Sequence, residues 1–360
     1  MRDDTFMAEA LRLAERGRGL THPNPLVGAV LVADGQVVGR GWHRGPGTDH
    51  AEAVALREAG KRAAGATLFC TLEPCSHHGN TPPCADALLA AGIKRAVVAL
   101  RDPNPLVDGR GLARLREGGV AVELLDGAAA ASAQRQNAPF LKFVRSSLPL
   151  VTYKAAVSLD GKVAASGGDA RWISSAASRR RVHRLRAMVD AVMVGAGTVR
   201  HDDPELTVRL WPGRSPARVV VSRSGGLPLD AKVVRSAREV RTLLLTGAPS
   251  SPASAALAAA GVEIVPLAGG ILEDGLKELA RRGMLDVLCE GGPTLAAGLL
   301  AEGLLDQVTL FVAPLVVGRG APDLFAAPAV SEIAEGWHLH DVVWRRVGDD
   351  MMVNGRLGES

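Results

Sequence analysis

The chain has 360 residues, 47% hydrophobic and only 3% aromatic, ample for aliphatic-cored globular structure in two domains. Lys and Arg number 42 against 38 Asp and Glu, a near-balance with no basic block; it neither requires nor excludes a nucleic-acid surface and suits an anionic small molecule equally. No apolar run is long enough to cross a bilayer, and "MRDDTFMAEALRLAERG" lacks the apolar core of a signal peptide, so the expectation is a cytoplasmic chain whose 4 cysteines are free thiols.

In chain order, Asp3, Asp4 and Thr5 cap a helix with the stripe Phe6, Ala10, Leu13 and Ala14, which Gly17 stops. "VGAVLVADGQVVGRGWH" reads as a hairpin turning at Asp34-Gly35. "DHAEAVALREAG" is a helix ending at Gly60, "ATLFCTL" a strand, "CADALLAAG" a helix, "RAVVAL" a strand, "GLARLREGG" a helix and "VAVELL" a strand. "AAAASAQRQNAPFLKFV" adds one more helix. A hairpin followed by this alternation implies a mostly parallel sheet covered by helices. "RSSLPLV" at 145–151 reads as a joint between 1–147 and 148–360, after which strands and helices alternate again up to a terminal hairpin, "HLHDVVWRRVGDDMMVNGRL".

The second helix opens with His50 and Glu52. Alone, Glu52 reads as the first-turn carboxylate of a capping box with Asp49 as N-cap, and His50 as a surface histidine. Cys75 and Cys84 alter both readings. Each follows a proline, and Cys84 begins a helix, where a thiol shifts toward the zinc-binding thiolate. One imidazole and two thiolates leave a fourth zinc position open to water, whose pKa zinc lowers toward neutrality. Glu52 then moves protons without holding the metal. Residues two apart on a helix point about 200° apart, so His50 and Glu52 can both border only a site over the helix end. The zinc is expected at the N-termini of the His50 and Cys84 helices. Cys70 and Cys289 lie in apolar strand patterns and read as buried small hydrophobes.

"HAE" and "EPC" together resemble the zinc nucleobase-deaminase pattern H-x-E…P-C-x-x-C, although eight residues separate Cys75 and Cys84 instead of two. The longer form "TLEPCSHHGNTPPCADAL" (71–88), with "THPNPLVGAV" (21–30) and "GWH" (41–43), resembles the deaminase half of the bifunctional riboflavin-biosynthesis deaminase/reductases. The resemblance implies an insert closing over a pyrimidine and its ribose phosphate, with His77, His78, Asn80, Thr81, Asn24 and His43 as substrate contacts. Read as residues alone, the insert is a polar loop facing water, and the prolines around Asn24 shape a turn. Where that family often carries a basic residue, this chain has Asn80.

In the second half, "KAAVSLDGK" (154–162) reads as a turn at Asp160-Gly161. "VGAGTVRHDDPELTVR" (194–209) reads as a loop at a strand's C-terminal end, where open α/β sheets bind ligands. "CEGGPTLAAGLL" (289–300) is a glycine-rich strand-to-helix turn, either a phosphate-binding helix N-terminus or ordinary turn chemistry. No clean G-x-G-x-x-G follows the first strand, so no Rossmann domain is read. With "RWI" (171–173), these stretches resemble the reductase half of the same family, which implies a dihydrofolate-reductase-like fold and NADPH. By that resemblance Val157, Trp172, Thr198, Asp202, Ser222 and the run Gly292, Pro293, Thr294, Leu295, Ala296, Ala297 and Gly298 face the cofactor. Lys154, Arg186, Leu206, Arg209 and Glu290 face the substrate, and a family serine falls at Ala170. Arg186 and Arg209 suit phosphate through paired hydrogen bonds; alternatively, Arg186 lies on a solvated face of "SRRRVHRLRAM".

The expected fold class is α/β in two domains, an N-terminal cytidine-deaminase-like three-layer domain (1–147) and a C-terminal dihydrofolate-reductase-like domain (148–360). The resemblance implies zinc-dependent deamination of 2,5-diamino-6-ribosylamino-4(3H)-pyrimidinone 5′-phosphate. NADPH-dependent reduction of ribosyl to ribityl follows, with hydride arriving at C1′. It also implies a homodimer or higher homo-oligomer, with no nucleic-acid or membrane partner. On the residues alone two rivals stay open. One is a deaminase of free nucleosides or RNA with an unrelated appendage; the other is a zinc-stapled scaffold in which His77 or His78 completes four ligands.

Overall fold

The helix Arg2–Ala14 (α1) buries Met7, Ala10 and Leu13 at helical spacing and carries Asp3 and Asp4 in its first turn. It belongs to the first of two units into which this computed structural model divides, Met1–Ser147 and Leu148–Ser360. The structure describes residues 2–76, 83–327 and 329–358. Strands Gly28–Ala33 (β1) and Gln36–Trp42 (β2) turn through Asp34 and Gly35 at φ 51° and 75°, the left-handed pair of a two-residue hairpin loop. Then follow Ala51–Ala59 (α2), Thr67–Cys70 (β3), Cys84–Ala90 (α3), Arg95–Val98 (β4), Arg110–Glu117 (α4), Ala121–Leu124 (β5), Gly127–Gln136 (α5) and Ala138–Ser146 (α6). The single helix expected over 128–144 is thus two. Asn137 breaks it, because its side chain accepts from the Leu26 N–H at 2.7 Å and donates to the Leu26 carbonyl at 3.0 Å. Pro139, without an N–H, then starts α6.

The first sheet has the order β2-β1-β3-β4-β5. β1 runs antiparallel to both β2 and β3, and only β3-β4 and β4-β5 are parallel. The expected mostly parallel sheet is therefore half antiparallel, because β3 pairs with the inner strand of the hairpin. α2, α3 and α4 cover one face around Leu31, Leu68 and Ala96; α1 and α5 cover the other around Val30, Phe69 and Val97. α2 rests directly on β2. A Cβ at Gly41 would stand 1.9 Å from the Ala51 carbonyl oxygen, and one at Gly39 2.2 Å from that of Ala55. The helix meets these glycines with Ala51, Ala55 and Ala59, four apart on one face.

The second unit begins with Leu150–Val157 (β6), whose burial alternates residue by residue. Ala176–Arg186 (α7), Ala191–Gly195 (β7), Ala196–Asp202 (α8), Ala217–Val221 (β8), Lys232–Arg235 (α9), Thr242–Thr246 (β9), Pro252–Ala259 (α10) and Glu263–Pro266 (β10) follow. Ile271–Arg281 (α11), Asp286–Cys289 (β11), Pro293–Ala301 (α12), Gln307–Val312 (β12), His340–Val347 (β13) and Asp350–Arg356 (β14) complete it. The stretch 194–209, expected as a loop, opens with α8. Strand order is β10-β9-β8-β7-β11-β6-β12-β14-β13, parallel as far as β12 and antiparallel beyond. α11 and α12 pack on one face, and α8, α9 and α10 on the other. β11 is inserted between the earlier strands β6 and β7. That reversal of strand order opens a crevice at the carboxyl ends of all three.

Gly41→Ala forces Ala51 and the start of α2 away from β2. We expect unfolding of the N-terminal unit in urea to lose about 1–3 kcal/mol, with the transition of the C-terminal unit unchanged.

Candidate active sites

His50 is the N-cap of α2, Cys84 is the first residue of α3, and Cys75 follows β3 at the "EPC" turn. Their side chains converge. His50 Nδ1 lies 3.2 Å from Cys84 Sγ and 3.5 Å from Cys75 Sγ, and the three donor atoms lie within 4.8 Å of one another. The Cys84 backbone N–H donates to Cys75 Sγ at 3.3 Å. This compact imidazole–thiol set fits one zinc ion, with three ligands among the described residues. The Cys84 thiol, hydrogen-bonded to Cys75, draws Cys75 down to about 4 against the effect of burial, and His50 helps. Cys75 and burial push Cys84 up in turn. A zinc ion on these ligands would hold both sulfurs as thiolates. His77, His78, Asn80 and Thr81 lie outside the described residues.

Glu52, in the first turn of α2, is only 3% exposed. It is not part of a capping box: the N-cap is His50, and the Asp49 carboxylate is engaged by Arg57. Burial, and then the charge of Cys75, push Glu52 up to about 7, a value suited to taking and returning a proton. With His50 and Cys75 it borders a cavity of about 180 Å³ that also takes in Asn24 and His43. His43 Nδ1 lies 3.2 Å from the Asp49 carbonyl oxygen, and its Nε2 lies 3.0 Å from Asn24 Nδ2. These partners assign the neutral tautomer in which Nδ1–H donates to Asp49 and Nε2 accepts from Asn24. Burial lowers the pKa of His43 and favours that neutral form. The ring thereby steadies the backbone just ahead of His50. Cys70 and Cys289 are fully buried, their thiols pushed up by burial, and neither joins a donor set.

In the second unit a cavity of about 870 Å³ opens at the carboxyl ends of β6, β7 and β11. Of the candidate residues its wall holds Lys154, Ala170, Trp172, Arg186, Thr198, Asp202, Arg209, Glu290 and the turn Gly292, Pro293, Thr294 and Leu295. Glu290 ties the wall together. It accepts from Arg186 Nε at 2.6 Å and Nη2 at 3.0 Å, and Lys154 Nζ lies 2.8 Å away. Burial opposes the Glu290 charge, but Arg186 and Lys154 outweigh it and hold the carboxyl well below the usual carboxylate range. Arg186 Nη1 donates to the Thr207 carbonyl at 3.0 Å. Arg186 is thus neither on a solvated face nor open to grip a phosphate with its fork. Arg209 differs: Nη1 donates to Glu205 at 2.6 Å and Thr207 Oγ1 at 2.9 Å, while Nε and Nη2 have no partner among the described residues.

Six expected contacts stand off this wall. Val157 lies in the core with Val151, Tyr153 and Ala155, every second residue of β6. The Ser222 hydroxyl turns to the Gly226 carbonyl at 3.4 Å. Leu206, at φ 57°, is buried in the core beside α8. Ala296, Ala297 and Gly298 sit beyond the first turn of α12, where Ala296 joins the core and Gly298 faces Leu272. Arg179 and His183, missed in the sequence, also reach the wall. Arg179 stacks on Trp172, 4.4 Å from the ring centroid. His183 Nδ1 accepts the Arg209 backbone N–H at 3.0 Å. Positions 179, 183 and 186 share one helical face, the signal that could have found them.

Residues 149–353 match the family described as RibD C-terminal domain, and residues 1–100 the cytidine and deoxycytidylate deaminase zinc-binding region. The chain is similar to riboflavin biosynthesis protein RibD of Aquifex aeolicus, 40% identical with 98% of this chain and 97% of that one covered. It is 38% identical to RibD of Escherichia coli, with 98% and 99% covered. Among solved structures, Acinetobacter baumannii RibD matches with a TM-score of 0.88 at 38% identity. A Thermotoga maritima diaminohydroxyphosphoribosylaminopyrimidine deaminase/5-amino-6-(5-phosphoribosylamino)uracil reductase matches with 0.87 at 34%. Each covers 99% of both chains.

Glu290→Gln leaves Arg186 and Lys154 without their counter-charge, with side chains only 12% and 15% exposed. The expected cost is about 3–5 kcal/mol, read from urea unfolding of the C-terminal unit. Burial first, then Arg186 and Arg209, hold His183 below its ordinary 6.5, against the opposing pull of Glu290. Folded His183 therefore binds fewer protons than unfolded His183. The stability it contributes is whole above 6.5 and is lost as pH falls toward the folded pKa. Melting of the C-terminal unit should fall more steeply below pH 6.5 in the wild type than in His183→Gln.

Proposed function

Because the chain belongs to the RibD family of bifunctional riboflavin-biosynthesis enzymes, with a zinc-binding deaminase domain and a reductase domain that uses NADPH, we propose a division of labour between its two cavities. The N-terminal site deaminates 2,5-diamino-6-ribosylamino-4(3H)-pyrimidinone 5′-phosphate, and the C-terminal cavity reduces the ribosyl side chain of the product to ribityl. The observation that carries this is one chain holding both a buried carboxylate beside a convergent His–Cys–Cys set and a cation-walled cavity at a strand-order switch. The substrates are those named for the Thermotoga maritima relative.

His50, Cys75 and Cys84 hold the zinc, which when bound supplies the Lewis acidity that makes water nucleophilic near neutral pH. Glu52 takes a proton from the attacking water at a carboxylate oxygen and returns it to the departing amino group, so that ammonia leaves neutral. Asn24 and His43, bonded to each other, form the wall that meets the ring. In the second cavity NADPH, when bound, would supply the hydride. The turn from Gly292 into α12 takes the cofactor against its backbone, and Trp172, Thr198 and Asp202 flank it. Arg209 grips the substrate phosphate through Nε and Nη2. Lys154 and Arg186, fixed by Glu290, leave the wall with a net positive charge for an anionic substrate.

A homo-oligomeric state and a cytoplasmic location belong to the same proposal. β13 is the last strand of its sheet and exposes Val342, Val343 and Trp344, an apolar edge suited to a second copy. The four cysteines are free, as a reducing compartment favours. Among the described residues no helix is long and apolar enough to cross a membrane.

The test supplies the purified chain with the diamino-pyrimidinone phosphate and follows ammonia release and NADPH absorbance separately. Both signals are expected; ammonia without NADPH oxidation would remove the reductase assignment. Glu52→Gln should lower the rate of ammonia release by about 10²–10⁴-fold with zinc content unchanged. Zinc lost along with activity would make Glu52 a ligand or a structural group instead.

A further inference from the structure

Glu73 lies two residues before Cys75 and has no part in the chemistry above. Its side chain is 4% exposed, a buried carboxylate in need of partners. Those partners are backbone N–H groups from both ends of one loop. Oε2 accepts from Asp102 at 3.2 Å and Gly109 at 3.0 Å, while Oε1 accepts from Gly111 at 2.9 Å and Leu112 at 3.1 Å. Gly109 is the N-cap of α4 and has no side chain to offer, so Glu73 satisfies the open donors of that helix from a distant part of the sequence. The fit is close. A Cβ at Gly111 would stand 1.9 Å from the Pro74 carbonyl oxygen and 3.2 Å from Glu73 Oε1. Capping α4 requires only the bonds to its first turn. The bond to Asp102 reaches the other end of the loop, and between the two anchors lie Asn104 and Val107, which border the small cavity with Asp102, Glu52 and Cys75.

We propose that Glu73 is a positioning residue for deamination, a clamp that sets the cavity wall of Asp102, Asn104 and Val107 at a fixed distance from Glu52 and the metal-ligand set. The inference rests on the deaminase reading of that site. Glu73→Gln keeps one accepting oxygen and puts an amide donor against backbone donors; Glu73→Ala removes all the bonds. In the full-length zinc-loaded chain both variants should keep their zinc. KM for the diamino-pyrimidinone phosphate should rise on the order of tenfold, with kcat near wild type and Ala the more severe. Amide hydrogen exchange should quicken across 102–112, and NADPH-dependent reduction should not change. An unchanged KM, unchanged exchange, or zinc lost from the Gln variant would each overturn the clamp. Should the Ala variant fail to fold, the Gln variant alone decides. If the wild-type chain releases no ammonia, the deaminase reading fails, and exchange across 102–112 still reports whether Glu73 holds the loop.

Discussion

The contact of α2 with β2 is the constraint on which the first site depends. A helix ordinarily stands off a sheet by the length of two side chains. Here Gly39 and Gly41 present no side chain, and Ala51 and Ala55 present one carbon each, so main chain meets main chain. The helix start is then located by hard contact rather than by deformable packing. His50 immediately precedes that contact, and Glu52 immediately follows Ala51. The place of the histidine at the helix start follows from two glycines on one face of a strand.

Three buried glutamates show how surroundings assign different work to one functional group. Glu290 is surrounded by cations and stays charged, so it serves as a fixed anchor for Arg186 and Lys154. Glu73 is met by backbone dipoles, which bind a carboxylate without a counter-ion and tie segments together. Glu52 is compensated only in part, by His50, a backbone N–H and Cys84; burial and the charge of Cys75 outweigh them and bring it close to the point where gaining or losing a proton costs little.

Much of this was legible in the sequence wherever residue type alone restricts chemistry. Asp34-Gly35 can adopt the left-handed pair that a tight hairpin needs, and few residue types other than Cys and His hold zinc. The first sheet was misjudged because alternation along the chain does not reveal that β3 pairs with the inner hairpin strand, a relation set by residues far apart. The break at Asn137 was invisible for the same reason, since its cause is the backbone of Leu26. In the second cavity, the run Gly292 to Gly298 was expected to face the cofactor as a whole. Of Gly292 to Gly298 only Gly292 to Leu295 border the crevice, because a helix brings only its first turn there. Arg179 and His183 were obscured by the arginine-rich composition of α7, in which the helical period is hard to see.

The insertion of β11 between β6 and β7 also bears on how the second unit is assembled. β6 and β7 do not pair with each other; each pairs with β11, whose partner residues follow by 136 positions (Leu150 with Asp286) and by 96 (Ala191 with Val287). During synthesis, therefore, the centre of the sheet stays open until residues 286–289 emerge, although β7 to β10 can already align among themselves. Contacts this distant in sequence slow folding and leave strand edges exposed while it proceeds. Glu290 arrives immediately after that central strand, so its pairing with Arg186 and Lys154 cannot form before it. The crevice that distinguishes this unit is consequently among the last parts of it to form.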